Sequence, residues 1–456
     1  CSNKIYENYS IPLLDSNKVS INGEIKNNEP LELLIQPTPN KKIFGIPLGL
    51  SIYNIAKDNP DSLFDNWLYK KPKRINRLNK FISNKQVIQL RRYNRLLNNW
   101  IKKTGEEPVF INTTDIKNNT NKLTQYYKNN GYFDVKVEID SLVKNNKAEV
   151  VYKVDTDSVY TIDSVTYNII PNEVDSLINS KIDFSFIKAN EPFTISKLID
   201  ERDRIIDLLR DNGIYNFQQR SINYKVLIDS SGTDKRIPII VNINDLSGSS
   251  EDKIEEGYSI KKINKIKLYV ESIDELSSIN TYTDSTKYKG IDIFSKGSLK
   301  YSPKSLTEPI FFNIGDIYSE KNKILTSRYF SNLANFKYPS ILFEEDGDNL
   351  SSSIYLIPRK RFSLGFNVDL THSNIEDFGI SVGSILDIRN IFRGTENLSI
   401  NFKNSIGASK DIGIPNDSFF NLFELGGNLN LRIPRVLFPI NLNSLIHKEM
   451  SPITNI

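Results

Sequence analysis

The chain has 456 residues, of which 39% are hydrophobic and 25% charged, and its formal net charge is +4. That length predicts about three domains, and so small a charge argues against nucleic acid as the main partner. No run approaches the ~18 consecutive apolar residues of a transmembrane helix, so residence in a membrane would need strands or an attached lipid.

The single cysteine is residue 1. It fits the mature end of a bacterial lipoprotein, where a signal peptide is removed just before a Cys that then carries a diacylglycerol. A boundary that merely happens to fall on Cys is the alternative. Several acyl chains on Cys1 would anchor stably where one would not. Residues 1–10 read as a lipid anchor and its polar tether.

A strand at residues 17–25 and a short helix at 31–36 open the first module. A basic, mostly helical insertion follows at about 37–105. Its core carries Lys71, Lys73, Arg74, Arg77, Lys80, Arg91, Arg92 and Arg95 among Ile75, Leu78, Ile82, Leu90, Leu97 and Trp100. Such a segment faces anionic lipid or an acidic partner, or else is a solvated helix packed on the first module, which is the expectation here. A helix is predicted over 116–130, capped by Thr114 or Asp115. It ends at Asn129-Asn130-Gly131-Tyr132, a glycine C-cap. Strands are predicted at 132–139 and 148–154.

The same order returns. A strand at 160–170, helices at 174–178 and 196–211, the ending Asp211-Asn212-Gly213-Ile214 and strands at 222–228 and 237–243 form a second copy. A third begins with a strand at 260–270. Its second helix, 321–333, ends at Ala334-Asn335-Phe336 without the glycine, and strands at 340–343 and 352–358 close it. A Ser-, Gly- and acid-rich linker at 245–256 separates copies two and three. The spacing is that of domains, not of a tight solenoid.

From residue 361 the pattern changes to period 2. Phe362, Leu364, Phe366, Val368 and Leu370 fall on one face of a strand, and Arg361, Ser363, Gly365, Asn367 and Asp369 on the other. Three further runs follow: Ile380, Val382, Leu386 and Ile388; Leu398, Ile400, Phe402 and Ile406; and Leu425, Leu429, Leu431 and Ile433. The middle two are expected to slip register once. Each run has the length of a tilted strand that crosses a bilayer, although a soluble sandwich alternates in the same way. Asp377-Phe378-Gly379 reads as a hairpin turn and residues 390–396 as a longer one, so strand follows strand without a helix, as in an up-and-down meander. Four strands cannot close a barrel, so more strands are expected in a longer protein.

This order of modules and strands resembles the BamA/TamA-like superfamily of outer-membrane insertases, whose small βααββ domains are called POTRA domains. The Gly131-Tyr132 and Gly213-Ile214 endings are similar to that family's signature. Asn390, Phe392, Arg393, Gly394 and Glu396 resemble its early barrel hairpin. With Cys1, the segments 36–40, 49–54 and 105–109 point to the lipoprotein branch called TamL. The resemblance implies an α+β fold: POTRA domains at 11–157, 158–247 and 248–358, then the first strands of an antiparallel outer-membrane barrel at 359–456. It further implies location in the outer membrane, with the POTRA domains in the periplasm. Outer-membrane lipids, unfolded outer-membrane protein clients and an inner-membrane TamB-like protein are the expected partners. In this reading Phe362, Leu364, Phe366, Val368 and Leu370 lie on the strand that forms the seam where client strands are templated. The second strand of each POTRA domain is the expected edge for clients. A BamA-type central insertase and a two-partner-secretion pore are the alternatives.

No enzyme is expected. His372 and His447 are isolated, which disfavours a metal site, and neither a phosphate loop nor a nucleophile elbow occurs. No cofactor is expected beyond the lipid on Cys1. The triplets at 61–63, 140–142, 157–159, 163–165 and 175–177 (Asp-Ser-Leu or Asp-Ser-Val) resemble an O-glycosylation sequence of one bacterial group, or arise by chance.

Overall fold

The computed structural model describes residues 11–26, 29–71, 74, 83–229, 234–245, 257–270, 282–372, 376–409, 422–437 and 446–456. Cys1 and its tether, most of the linker at 245–256 and the basic residues Lys73, Arg77 and Lys80 lie outside the described residues. The chain forms two compact units. One holds Cys1–Thr166, Phe186–Ile199 and Lys225–Ile240; the other holds Tyr167–Ser185, Asp200–Tyr224 and Val241–Ile456.

The first unit opens with β1 (Leu13–Ile21) and the two-residue β2 (Glu24–Ile25), followed by α1 (Glu29–Leu34). Among the described residues the insertion holds α2 (Leu48–Tyr53), α3 (Pro60–Tyr69) and α4 (Asn84–Thr104). Helix α5 (Thr113–Asn129) leads to β3 (Lys136–Lys144) and β4 (Lys147–Asp155). The sheet order is β2-β1-β4-β3, with β1 parallel to β4 and β3 antiparallel to it. A parallel pair needs a long crossover, and the helices between β1 and β3 supply it. Leu14, Val19, Leu31, Leu123, Tyr127, Val150, Tyr152 and Val154 make the core, each large side chain contributing about 1.5–3 kcal/mol when buried. Within it Asn119 Nδ2 donates to Tyr152 Oη at 2.9 Å and to the Gln36 carbonyl at 2.8 Å.

Several boundaries differ from expectation. The first strand starts at Leu13. Asn112, not Thr114 or Asp115, caps α5, its side chain accepting from the Thr114 N–H. The strand expected from Tyr132 begins at Lys136, because the residues before it complete the helix ending. Asn145 and Asn146, at φ +52° and +59°, form the two-residue turn from β3 to β4, the left-handed pair that such hairpins require.

Next come β5 (Thr161–Ile169), α6 (Asn172–Asn179), α7 (Ile195–Asp211), β6 (Ile222–Val226) and β7 (Arg236–Ile243). These strands form a sheet of order β5-β7-β6. In the second unit Glu201 is fully buried. It accepts from Arg204 Nη2 at 2.6 Å and from Tyr167 Oη at 2.7 Å.

The rest of the second unit holds β8 (Lys262–Val270), a hairpin of β9 (Asp284–Tyr288) and β10 (Ile291–Ser295), and the short α8 (Pro303–Thr307). Helix α9 (Glu320–Asn332), β11 (Phe336–Asp346) and β12 (Asn349–Pro358) complete this module. Its sheet order is β11-β12-β8-β10-β9. The β9–β10 hairpin occupies the long segment inside the third copy, and sequence reading did not find it. Its core joins Ile266, Leu268, Ile293, Phe330, Phe336, Ile354 and Leu356.

A five-stranded antiparallel sheet follows in the order β13 (Phe362–Thr371), β14 (Glu376–Arg389), β15 (Asn397–Ser409), β16 (Leu422–Ile433), β17 (Thr454–Asn455). Asp377-Phe378-Gly379 is part of β14, not a turn; the link lies at 373–375, outside the described residues. The expected slips do not occur. Pairing runs unbroken from Gly379 to Arg389 and on through β15. What broke the pattern is Ser384 and Asn404 standing in the apolar row, with Ile385 in the polar one.

Candidate functional site

The residues singled out in the sequence fall in two places: the joints between modules and the faces of the last sheet.

At the end of α5 the chain makes a Schellman turn. Gly131 N–H donates to the Lys128 carbonyl at 3.1 Å, and Tyr132 N–H to the Tyr127 carbonyl at 3.0 Å. The Tyr132 ring meets the Tyr127 ring edge-on at 5.9 Å. Gly131 has φ +86°, and a Cβ there would lie 2.6 Å from the Phe193 carbonyl oxygen. The Gly131 carbonyl accepts from Tyr160 N–H at 2.9 Å, just ahead of β5.

Gly213 repeats this at the end of α7. Its φ is +100°, and Ile214, fully buried, donates its N–H to the Leu209 carbonyl at 3.0 Å. The Gly213 carbonyl accepts from Lys261 N–H at 2.9 Å, just ahead of β8. So both signature glycines end a helix and hold the first strand of the following module.

The third joint lacks glycine, yet Ala334 adopts φ +56° at the same place after α9. The next residue, Asn335, accepts at its carbonyl from Arg359 N–H at 2.8 Å. Its buried side chain donates to the Thr395 carbonyl at 2.8 Å and to Asn397 Oδ1 at 3.0 Å. Asn397 Nδ2 donates back to the Leu333 carbonyl at 2.9 Å.

This third joint is where the predicted hairpin motif lies. Asn390, Arg393 and Thr395 all have positive φ, a folded turn that leaves several main-chain groups facing inward. Glu396, 2% exposed, accepts from the Gly394 N–H at 2.9 Å and from Arg435 Nη2 at 2.8 Å. Arg393 Nη2 donates to the Leu299 carbonyl at 2.8 Å, and its own carbonyl accepts from Ser302 N–H at 2.7 Å. Asn390 Nδ2 donates to the Lys300 carbonyl at 3.0 Å. Phe392 of the motif faces away, 67% exposed. Sequence reading missed the contribution of residues 299–305, Asn335 and Arg435, because no local pattern joins residues so far apart in the chain.

In the last sheet, register places side chains in rows. Leu364 stands opposite Leu386, which faces Ile400 and then Leu429; Leu370, Ile380, Ile406 and Phe423 form another such row. On β13, Phe362, Leu364, Phe366, Val368 and Leu370 are all more than half exposed. No protein layer covers this face among the described residues. The opposite face carries cross-strand polar pairs, Ser399 Oγ to Asp387 at 2.7 Å and Ser405 Oγ to Glu424 at 3.2 Å. β13 lies at the edge of the sheet. The second strands β3, β6 and β11 are likewise edges of their own sheets.

Among the described residues no helix is long and apolar enough to cross a membrane, which says nothing of strands. Nor does any group of three or more His, Cys, Asp or Glu there stand ready to hold a metal ion.

Residues 89–157 match the POTRA family model, described as "Surface antigen variable number repeat". The chain thus contains a POTRA domain, and its fold is α+β modules followed by an antiparallel sheet. No curated protein matches the chain. Among solved structures it is similar to POTRA domains 3–5 of Haemophilus influenzae BamA, at 12% identity over 76% of this chain and 96% of that one, with a TM-score of 0.31. BamA of Haemophilus ducreyi lacking POTRA domains 1–3 matches at 12% identity over 62% of this chain, with a TM-score of 0.32. CdiB of Acinetobacter baumannii matches at 11% over 61%, with a TM-score of 0.28. The chain spans 49% of that BamA chain and 42% of that CdiB chain.

Proposed function

We propose that this protein is an outer-membrane assembly factor of TamL type: a lipoprotein whose POTRA domains receive unfolded outer-membrane proteins and whose barrel strands template their insertion. The observation that supports it best is the sheet β13–β16, with one exposed apolar face and one polar face, held by a POTRA-type module. An apolar face that no layer of the described residues covers fits lipid as its solvent.

In this reading residues 11–157, 158–247 and 248–358 are three periplasmic POTRA domains, and 359–456 begin the barrel. A client in extended form adds to an open sheet edge by main-chain hydrogen bonds. β3, β6 and β11 are candidate edges in the periplasm, and β13 is the candidate in the membrane. At β13 the drive is strong, because an unpaired amide in hydrocarbon costs several kcal/mol. Cys1 carries the lipid, and an inner-membrane TamB-like protein is the partner across the periplasm. The intact mass of the native protein tests the lipid and, with it, any glycan on the Asp-Ser triplets.

Depletion tests the central claim. Loss of many outer-membrane proteins together supports assembly. Loss of one exported cargo alone replaces it with a two-partner-secretion pore, and a native protein without lipid points instead to a BamA-type insertase.

A further inference from the structure

The insertion in the first module carries an apolar groove that neither the assembly reading nor the module's own core uses. Helices α3 and α4 lie side by side and enclose about 610 Å³ lined by Phe64, Trp67, Leu90, Tyr93, Leu97 and Trp100, among others. These side chains are not core: Leu90 is 45% exposed, Trp67 50%, Leu97 57%, Trp100 62% and Tyr93 67%.

The charges are sorted around this groove. From residue 70 to 104 the sequence has twelve Lys and Arg and no Asp or Glu. At 3.6 residues per turn, Arg91, Arg95 and Lys102 share one stripe of α4. That stripe is already neutralised: Arg91 pairs with Asp65 at 2.8 Å, Arg95 with Asp61 at 3.3 Å and Lys102 with Asp58 at 3.5 Å. Leu90, Tyr93, Leu97 and Trp100 form a second stripe. Lys85, Arg92 and Lys103 form a third on its solvent side, exposed and without an ion pair among the described residues.

We propose that this helical pair lies on an anionic phospholipid surface, its apolar stripe among the acyl chains and Lys85, Arg92 and Lys103 at the headgroups. The order of layers decides between occupants. An in-plane helix needs an apolar face flanked by cations and edged with Trp or Tyr, which is what α4 presents along ~31 Å. An acidic peptide would need cations lining the groove; its described lining holds none, and Arg74 beside it is taken up over the Trp67 ring at 4.7 Å. The proposal does not rest on the assembly reading, which depletion tests separately.

The two tryptophans of the chain, Trp67 and Trp100, both line this groove, so tryptophan emission, excited to the red of tyrosine absorption, reports on it alone. The test reconstitutes the full chain in phosphatidylcholine vesicles, with or without phosphatidylglycerol, using lipids brominated on the acyl chains. With phosphatidylglycerol, bromine should quench Trp emission roughly two-fold and shift it to the blue. Arg92→Glu with Lys103→Glu should abolish the quenching while far-UV circular dichroism stays unchanged. Leu90→Gln with Leu97→Gln should do the same. Emission insensitive to bromine, quenching equal in both lipid mixtures, or retention of quenching by the folded charge variant overturns the proposal. A blue shift that depends on protein concentration and not on bromine assigns the groove to a second copy instead, and likewise overturns it.

Discussion

At the scale of single residues, the joints rest on backbone conformation that few side chains permit. A Cβ at Gly131 would sit 2.6 Å from a main-chain oxygen, whereas Gly315, at φ +95°, faces open space. Both substitutions by Ala incur the ~1–2 kcal/mol of a left-handed residue. Only Gly131→Ala adds overpacking of about 1–3 kcal/mol. Thermal unfolding of the two variants should therefore separate them, Gly131→Ala melting clearly lower; equal melting would remove the steric account of the joint. Tyr127 supplies a pH dependence. Burial pushes its hydroxyl up to about 12 from 10.0. The folded state thus keeps a proton that the unfolded state releases, so this stabilisation is complete below pH 10 and is lost as pH rises toward about 12. In Tyr127→Phe the alkaline decline in denaturation midpoint should be shallower over that window.

At the scale of elements, the two faces of β13 make opposite predictions for neighbouring positions. Phe366 is 74% exposed in the middle of the strand, on the face without a protein layer. If that face meets hydrocarbon, Phe366→Arg should cost about 2–4 kcal/mol of insertion, while Asn367→Arg, on the polar face, should be tolerated. Folded yield in lipid vesicles, read by heat-dependent gel mobility, measures both. Equal yields would mean that the sheet does not meet lipid with that face. The strands were legible in the sequence because period-2 alternation is local and survives single exceptions such as Ser384 and Asn404. The β9–β10 hairpin is less legible, although Lys289-Gly290 between Tyr288 and Ile291 marks its turn, because it has no counterpart among the described residues of the first two copies.

At the scale of the whole molecule, the repeated order of strand, helix, helix, strand, strand was readable because each amphipathic segment carries its own period. The joints were readable only in part. Gly131 and Gly213 were visible as helix endings, but nothing local announced that their carbonyls bind Tyr160 and Lys261. The third joint was harder still. Ala334 hides a left-handed turn behind an ordinary residue, and Asn335 reaches Thr395 and Asn397, about 60 positions away in sequence. The Asn390–Glu396 motif was likewise visible as a turn, while its partners at 299–305 and Arg435 were not.

The bonds of Asn335 and Asn397 also set an order of events. In the proposed reading the chain has two solvents: the modules complete their interiors in water, and the sheet completes its own only in hydrocarbon. In that reading the contact between them closes last, once both parts have folded. Until the sheet folds, Asn335 keeps its bond to the Leu333 carbonyl at 3.0 Å but lacks Thr395 and Asn397, and an arrested precursor would be recognisable by that one unlatched corner.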